Sequence, residues 1–181
     1  MPKPDIYIGV LSGTSADSID ALLVDFSKSI KVIDRFSKKI PKAVKDNIFE
    51  LVLNKKLPSF AKKQKELDSI LGELIGKSVN QLIKKTKMDK QMVKAIGSHG
   101  QTIKHSSSRK NPFSLQIGNP ELVRKITGIK VVYGFRQSDI ANGGIGAPLT
   151  PAFHNEYMSQ AKVNRAIVNI GGITNVTLLP A

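Results

Sequence analysis

The chain has 181 residues, 40% of them hydrophobic and none of them cysteine, which allows a real core and excludes disulfides, thiolate nucleophiles and cysteine-held metals. No apolar run reaches membrane-spanning length and no signal-peptide pattern opens the sequence, so the expected compartment is cytoplasmic, with no membrane partner. The net charge of +14 invites a nucleic-acid reading, but lysines such as Lys62, Lys63, Lys84 and Lys85 are spread over predicted helices without interleaved aromatics, which favours a solvated surface and no nucleic-acid partner.

The first forty residues read as an antiparallel meander of three strands, Ile6 to Leu11, Ile19 to Phe26 and Ile30 to Phe36. A helix is expected from Pro41, with Val44, Ile48, Leu51 and Val52 on one face. The strongest periodic signal follows. Leu67, Ile70, Leu71, Leu74, Ile75, Val79, Leu82 and Ile83 predict an amphipathic helix from near Ser59 to Lys87, with Gly72 and Gly76 set for close packing against a neighbour. Val93 to Gly97 is a short buried strand ending in a histidine turn, with Thr102 to His105 as an antiparallel return. Phe113 to Ile117 is another strand. Asn119, Pro120 and Glu121 open a short helix that Gly128 stops, and Ile129 to Tyr133 is the next strand. Pro151 begins a helix towards Met158, and the strands Ala166 to Ile170 and Val176 to Leu179 close the sequence around a Gly-Gly turn. Helix and strand alternation after the meander implies parallel additions to one sheet.

Chemistry concentrates in the turns. The segment Ser12-Gly13-Thr14-Ser15-Ala16-Asp17-Ser18-Ile19-Asp20 follows a buried strand and combines glycine, hydroxyls and carboxylates, the make-up of a phosphate cradle. It is neither a Walker P-loop nor a dinucleotide fingerprint, because the required lysine and glycine spacings are absent. It joins two antiparallel strands, as in actin, hexokinase and sugar-kinase ATP sites. Gly13, Thr14 and Ser15 are then the phosphate contacts. Asp17 and Asp20 are candidates for magnesium through water or for a substrate hydroxyl, against the plainer reading of Asp17 and Ser18 as polar turn formers.

Similar turns recur at Gly97 to Thr102, Asn142 to Pro148 and Asn169 to Asn175. His99 and His105 lack metal-ligand spacing, so His99 is read either as a proton or hydroxyl partner of a sugar or as a structural residue of its turn. Arg136 suits a carboxylate or phosphate, with an Arg136 to Asp139 ion pair as the competing reading.

Taken in order, Gly9 to Ser15 with Asp17 and Asp20, Ile96 to Ile103 with His105, Gln116 to Pro120, Phe135-Arg136 with Asp139 to Ala141, Gly143-Gly144 with Gly146 to Leu149, Pro151 to His154, and Asn169 to Gly172 with Asn175 resemble the anhydro-N-acetylmuramic acid kinase family. The chain differs from the family pattern at Gly134, where an aspartate is usual, and at Ser18, where a glycine is usual.

The resemblance implies an α/β, actin/hexokinase-like (ribonuclease H-like) ATPase lobe, a mixed sheet with flanking helices. Residues 1–164 form that lobe, residues 165–181 form the opening hairpin of a second lobe, and the second lobe is largely missing. It implies an ATP site at Gly13, Thr14, Ser15, Ala16, Asp17, Ser18, Ile19 and Asp20, with Asp17 as a magnesium ligand. Substrate-binding candidates are His99, Gln101, Arg136 and Asp139, and the general-base aspartate is expected beyond Ala181. The implied reaction uses ATP and water to convert 1,6-anhydro-N-acetylmuramic acid to N-acetylmuramate 6-phosphate in peptidoglycan recycling. For the chain by itself little turnover is expected. The alternative is a non-catalytic nucleotide-binding or interaction module. A homodimer and a separately encoded second lobe are the assemblies left open.

Overall fold

The computed structural model describes residues 4–54, 58–170 and 174–181. Two compact units are distinguished, one of residues 1–105 with 114–135 and the other of residues 106–113 with 136–181. No helix among the described residues is long and apolar enough to cross a membrane.

The first unit is built on a five-stranded sheet. β1 (Ile6–Ser12), β2 (Ser18–Asp25) and β3 (Lys31–Lys39) form the expected antiparallel meander, followed by α1 (Lys42–Leu53) and α2 (Phe60–Thr86). β4 (Val93–Ser98) then returns parallel to β1, with Ile8 opposite Ile96 and Val10 opposite Ser98. β7 (Val131–Val132) adds in parallel on the far side, giving the order β3-β2-β1-β4-β7. A mixed sheet flanked by helices is the architecture expected of an actin/hexokinase-like ATPase lobe.

Alternation along the strands decides which face is covered. Ile6, Ile8 and Val10 of β1 and Ile19, Ala21 and Leu23 of β2 are buried, while Leu11, Asp20 and Leu22 between them are exposed. The covering layer is chiefly α2. Its residues Leu67, Leu71, Ile75, Val79 and Leu82 are each at most 2% exposed and run as one stripe at helical spacing. Ile70, expected on that stripe, is 40% exposed and points away from the core. Ile48 and Leu51 of α1 join the same cluster.

α3 (Pro120–Thr127) packs on α2 through the two glycines. A Cβ on Gly72 would stand 2.9 Å from the carbonyl oxygen of Asn119, and one on Gly76 would stand 2.9 Å from Ile126. The start of α3 is fixed by its own cap and by α2. Asn119 Oδ1 accepts from the Leu122 N–H at 2.9 Å, and Asp68 Oδ1 accepts from the Gly118 N–H at 2.8 Å.

Two expectations are corrected. β5 (Gln101–Ser106) does not return along β4, because β1 and β7 occupy both edges of that strand; it pairs instead with β6 (Phe113–Ile117) in a separate two-stranded sheet. The strand expected over Ile129 to Tyr133 is reduced to two residues, bracketed by left-handed glycines at Gly128 and Gly134.

The second unit contains α4 (Phe135–Ala141, whose first residue belongs to the first unit), α5 (Thr150–Met158), β8 (Arg165–Ile170) and β9 (Thr174–Leu179). α4 was not anticipated from the sequence. β8 and β9 pair antiparallel, with Val168 opposite Val176 and Ala166 opposite Leu178. The Gly171-Gly172 turn expected between them lies outside the described residues.

Candidate functional site

The loop from Ser12 to Asp20 is held from below and open above. Antiparallel pairing continues to Ser12 opposite Ile19, and the Ala16 N–H then closes a turn on the Gly13 carbonyl at 2.9 Å. Ala16 takes φ 48° and is fully buried, so its methyl group pins the loop to the core. Gly13, Thr14 and Ser15 remain exposed, and no heavy atom lies within 4 Å of the point where a Gly13 side chain would begin. The main chain at Gly13 is therefore open to close approach. Ile19 is also buried, so Ala16 and Ile19 anchor the loop and neither has surface exposed to a ligand.

Beneath the loop sits a set of buried polar side chains. Ser12 Oγ donates to Gln101 Oε1 at 2.6 Å, and Gln101 Nε2 donates to the Thr102 carbonyl at 3.3 Å. Gln101 is 2% exposed, so its side chain faces the loop's foundation rather than solvent. Ser98, 3% exposed at the end of β4, has no hydrogen-bond partner for its hydroxyl among the described residues.

His99 stands where β4 meets β1, its N–H donating to the Val10 carbonyl at 3.1 Å. Its Nδ1 lies 3.0 Å from the Gly100 carbonyl oxygen, an acceptor, so in the neutral ring Nδ1 carries the proton and Nε2 is the accepting nitrogen. Gly100 is required at this turn: it takes φ +70°, and a Cβ would fall 2.5 Å from the Ile117 carbonyl oxygen. The loop and the histidine turn, far apart in sequence, share one anchorage.

The two acidic candidates differ. Asp17 accepts from Lys45 of α1, and that contact, with the neighbouring Ser15 hydroxyl adding to it, holds its carboxyl below the ordinary 3.8. The Asp17 carbonyl also accepts from the Ile40 N–H at 2.9 Å, tying the loop to the entry of α1. Asp20 accepts from Ser18 Oγ at 2.8 Å, so these two side chains do form a local polar pair within the turn. Among the described residues no group of three or more His, Cys, Asp or Glu is placed to hold a metal. An ionised carboxylate that is 65% exposed at the rim of the loop nevertheless has the chemistry that suits magnesium, which takes one or two carboxylates together with water and phosphate.

In the second unit, Arg136 and Asp139 of α4 both act on the glycine turn that follows. Arg136 NH1 donates to the Gly146 carbonyl at 2.7 Å, and Asp139 Oδ2 accepts from the Gly146 N–H at 2.8 Å. A Cβ on Gly144 would lie 2.1 Å from the Asp139 carboxylate, which accounts for the glycine there. His154 of α5 has its Nδ1 2.9 Å from Thr177 Oγ1, joining α5 to β9. His105 in the first unit is exposed, with its Nδ1 3.2 Å from Ser114 Oγ across the β5–β6 hairpin.

Three residues of this site escaped the sequence reading: Ser12 as a buried donor, Ser98 as a buried hydroxyl and Lys45 as the partner of Asp17. Ser12 lies within the singled-out segment, but its inward orientation follows from the strand alternation Ile8, Val10, Ser12, which was readable. Lys45 carries no local signal, being 28 positions from Asp17.

A family profile described as anhydro-N-acetylmuramic acid kinase matches residues 5–181. An anhydro-N-acetylmuramic acid kinase of Coxiella burnetii (strain Dugway 5J108-111) is 45% identical over 182 residues, covering 99% of this chain and 47% of that protein. One of Shewanella woodyi is 45% identical over 179 residues, covering 97% and 47%, and one of Saccharophagus degradans is 42% identical over 185 residues, covering 99% and 49%. The chain spans about half the length of the curated relatives it matches.

Proposed function

The chain belongs to the anhydro-N-acetylmuramic acid kinase family, and from that premise we propose that it forms the ATP-binding lobe of an enzyme phosphorylating 1,6-anhydro-N-acetylmuramic acid. The reaction consumes ATP and water, opens the anhydro bridge and gives N-acetylmuramate 6-phosphate in peptidoglycan recycling, with the cytoplasm as its compartment. The observation that carries this reading is the Ser12–Asp20 loop, pinned by buried Ala16 and Ser12 while Gly13, Thr14 and Ser15 stay exposed. Main-chain N–H groups and small hydroxyls held rigidly at a surface are the chemistry that binds a polyphosphate.

In this reading Asp17 would hold magnesium, which would supply charge neutralisation at the transferred group. Asp20 has its Ser18 contact to exchange for a water or a hydroxyl. His99 serves as a proton or hydroxyl partner of the sugar, while Gln101 acts through Ser12 by fixing the loop. Arg136 and Asp139 serve the sugar by shaping the turn at Gly144 and Gly146. Residues 1–164 constitute the lobe and residues 165–181 the opening hairpin of a second one. β8 and β9 form a two-stranded sheet of their own, which supports a boundary before the hairpin, whereas the compact unit that contains them begins at residue 136.

The test is calorimetric titration of the chain with magnesium-ATP, first alone and then with the anhydro sugar present. Saturable binding that the sugar strengthens is expected. Phosphate transfer is measured in parallel, with the chain alone and with the C-terminal half of a relative added. Absence of any magnesium-ATP binding by the well-folded chain sinks the proposal.

A further inference from the structure

We propose that Lys45, delivered by α1, is the phosphate-facing cation of the Ser12–Asp20 loop. The inference rests on the reading of that loop as a nucleotide site. Between Ser12 and Asp20 the sequence has no lysine or arginine, whereas it has two carboxylates, so the loop's own side chains bring no positive charge to a triphosphate. The tertiary structure brings a cation from elsewhere. Lys45 Nζ donates to the Asp17 carboxylate, which stands two positions beyond the exposed Gly13 to Ser15 segment, so the ammonium is held at the edge of the open part of the loop.

The lysine is held in place rather than loose. Its stem is half-buried, with 32% of the side chain exposed, and its ammonium stands 5.6 Å from the centre of the Phe49 ring. The entry of the helix that carries it is tied to the loop by the Ile40 N–H on the Asp17 carbonyl at 2.9 Å. Lys42 on the same helix is different: its side chain is 88% exposed and pairs with Asp46 one turn on. Were the Asp17 carboxylate taken by a metal, the ammonium that now pairs with it would be left to take a phosphate oxygen at the same loop. A lysine inside the loop does this in P-loop sites; the fold supplies it here from a neighbouring helix.

Magnesium-ATP affinity of the full chain is measured for the unaltered protein, Lys45→Met, Lys45→Gln, Lys45→Arg and Lys42→Met, each checked for folding by its thermal melt. Methionine keeps the packing on Phe49 without the charge, and glutamine provides a second neutral variant should methionine impair folding. Loss of at least about tenfold in Lys45→Met or Lys45→Gln, partial recovery in Lys45→Arg and less than about a twofold change in Lys42→Met are expected. Added salt is expected to weaken binding less in the neutral variants than in the unaltered chain. Equal effects of the neutral Lys45 and Lys42 variants overturn the assignment, and so does tighter binding without Lys45, which would mark it as a mere competitor with the metal for Asp17. Failure of the unaltered chain to bind overturns the nucleotide reading itself and the role of Lys45 with it.

Discussion

Ser12 Oγ and Gln101 Oε1 lie 2.6 Å apart in the buried floor of the candidate site, although 89 positions separate them in the chain. The contact joins the end of β1 to the start of β5 and so ties the phosphate-loop candidate to the turn that carries His99. Replacing Gln101 with leucine leaves the buried Ser12 hydroxyl without this partner. A loss of about 1–3 kcal/mol in unfolding free energy is expected from urea titration. Ser12→Ala combined with Gln101→Leu is expected to cost less than the sum of the single changes, and strict additivity would show that the bond carries no coupling.

Glycine plays opposite parts at the two turns, and substitution separates them. Gly13→Ala meets no atom within 4 Å, so the melting temperature is expected to stay within a degree or two of the original while magnesium-ATP binding falls. Gly100→Ala forces a Cβ against the Ile117 carbonyl at φ +70° and is expected to destabilise by about 1–3 kcal/mol. A Gly13→Ala protein that binds nucleotide normally would remove the argument for close approach at that position.

The interface of α2 with α3 gives a second contrast. Alanine favours a helix over glycine by about 1 kcal/mol, yet at Gly72 its Cβ would press on the Asn119 backbone carbonyl, which cannot move without disturbing the cap of α3. At Gly76 the obstacle is the Ile126 side chain, which has more freedom to shift. Chemical denaturation is expected to rank Gly72→Ala as the more destabilising of the two. The reverse order would mean that α3 yields as a body.

Acid sensitivity follows from Asp25. The Ser27 N–H at 2.8 Å is the main cause that holds its carboxyl below the ordinary 3.8, with the Asp5 N–H at 3.2 Å adding to it. A depressed carboxyl stabilises the fold fully above its unfolded value and progressively less as pH falls through the folded one. Asp25→Asn keeps an acceptor but cannot titrate. Its unfolding free energy is expected to fall less steeply than that of the unaltered chain below about pH 4. Parallel curves for the two proteins would assign the acid response to other carboxylates.

What could be read from the sequence is what depends on neighbours in the chain. The period of Leu67 to Leu82 fixed the long helix and its buried stripe, the apolar run Ile6 to Leu11 marked a buried strand, and Asn119-Pro120 with Gly128 fixed both ends of α3. The glycine and hydroxyl content of Ser12 to Asp20 singled out the loop, and the order of motifs pointed to the family. Pairings between distant segments were decided only by the tertiary structure, because they depend on the sheet order β3-β2-β1-β4-β7 and on how α1 packs beside it. That order fills both edges of β4 and turns β5 away, buries Gln101 against Ser12, and sets Lys45 on Asp17. Backbone propensity acts over a few residues, whereas a binding site is assembled by packing, and packing answers to the whole core.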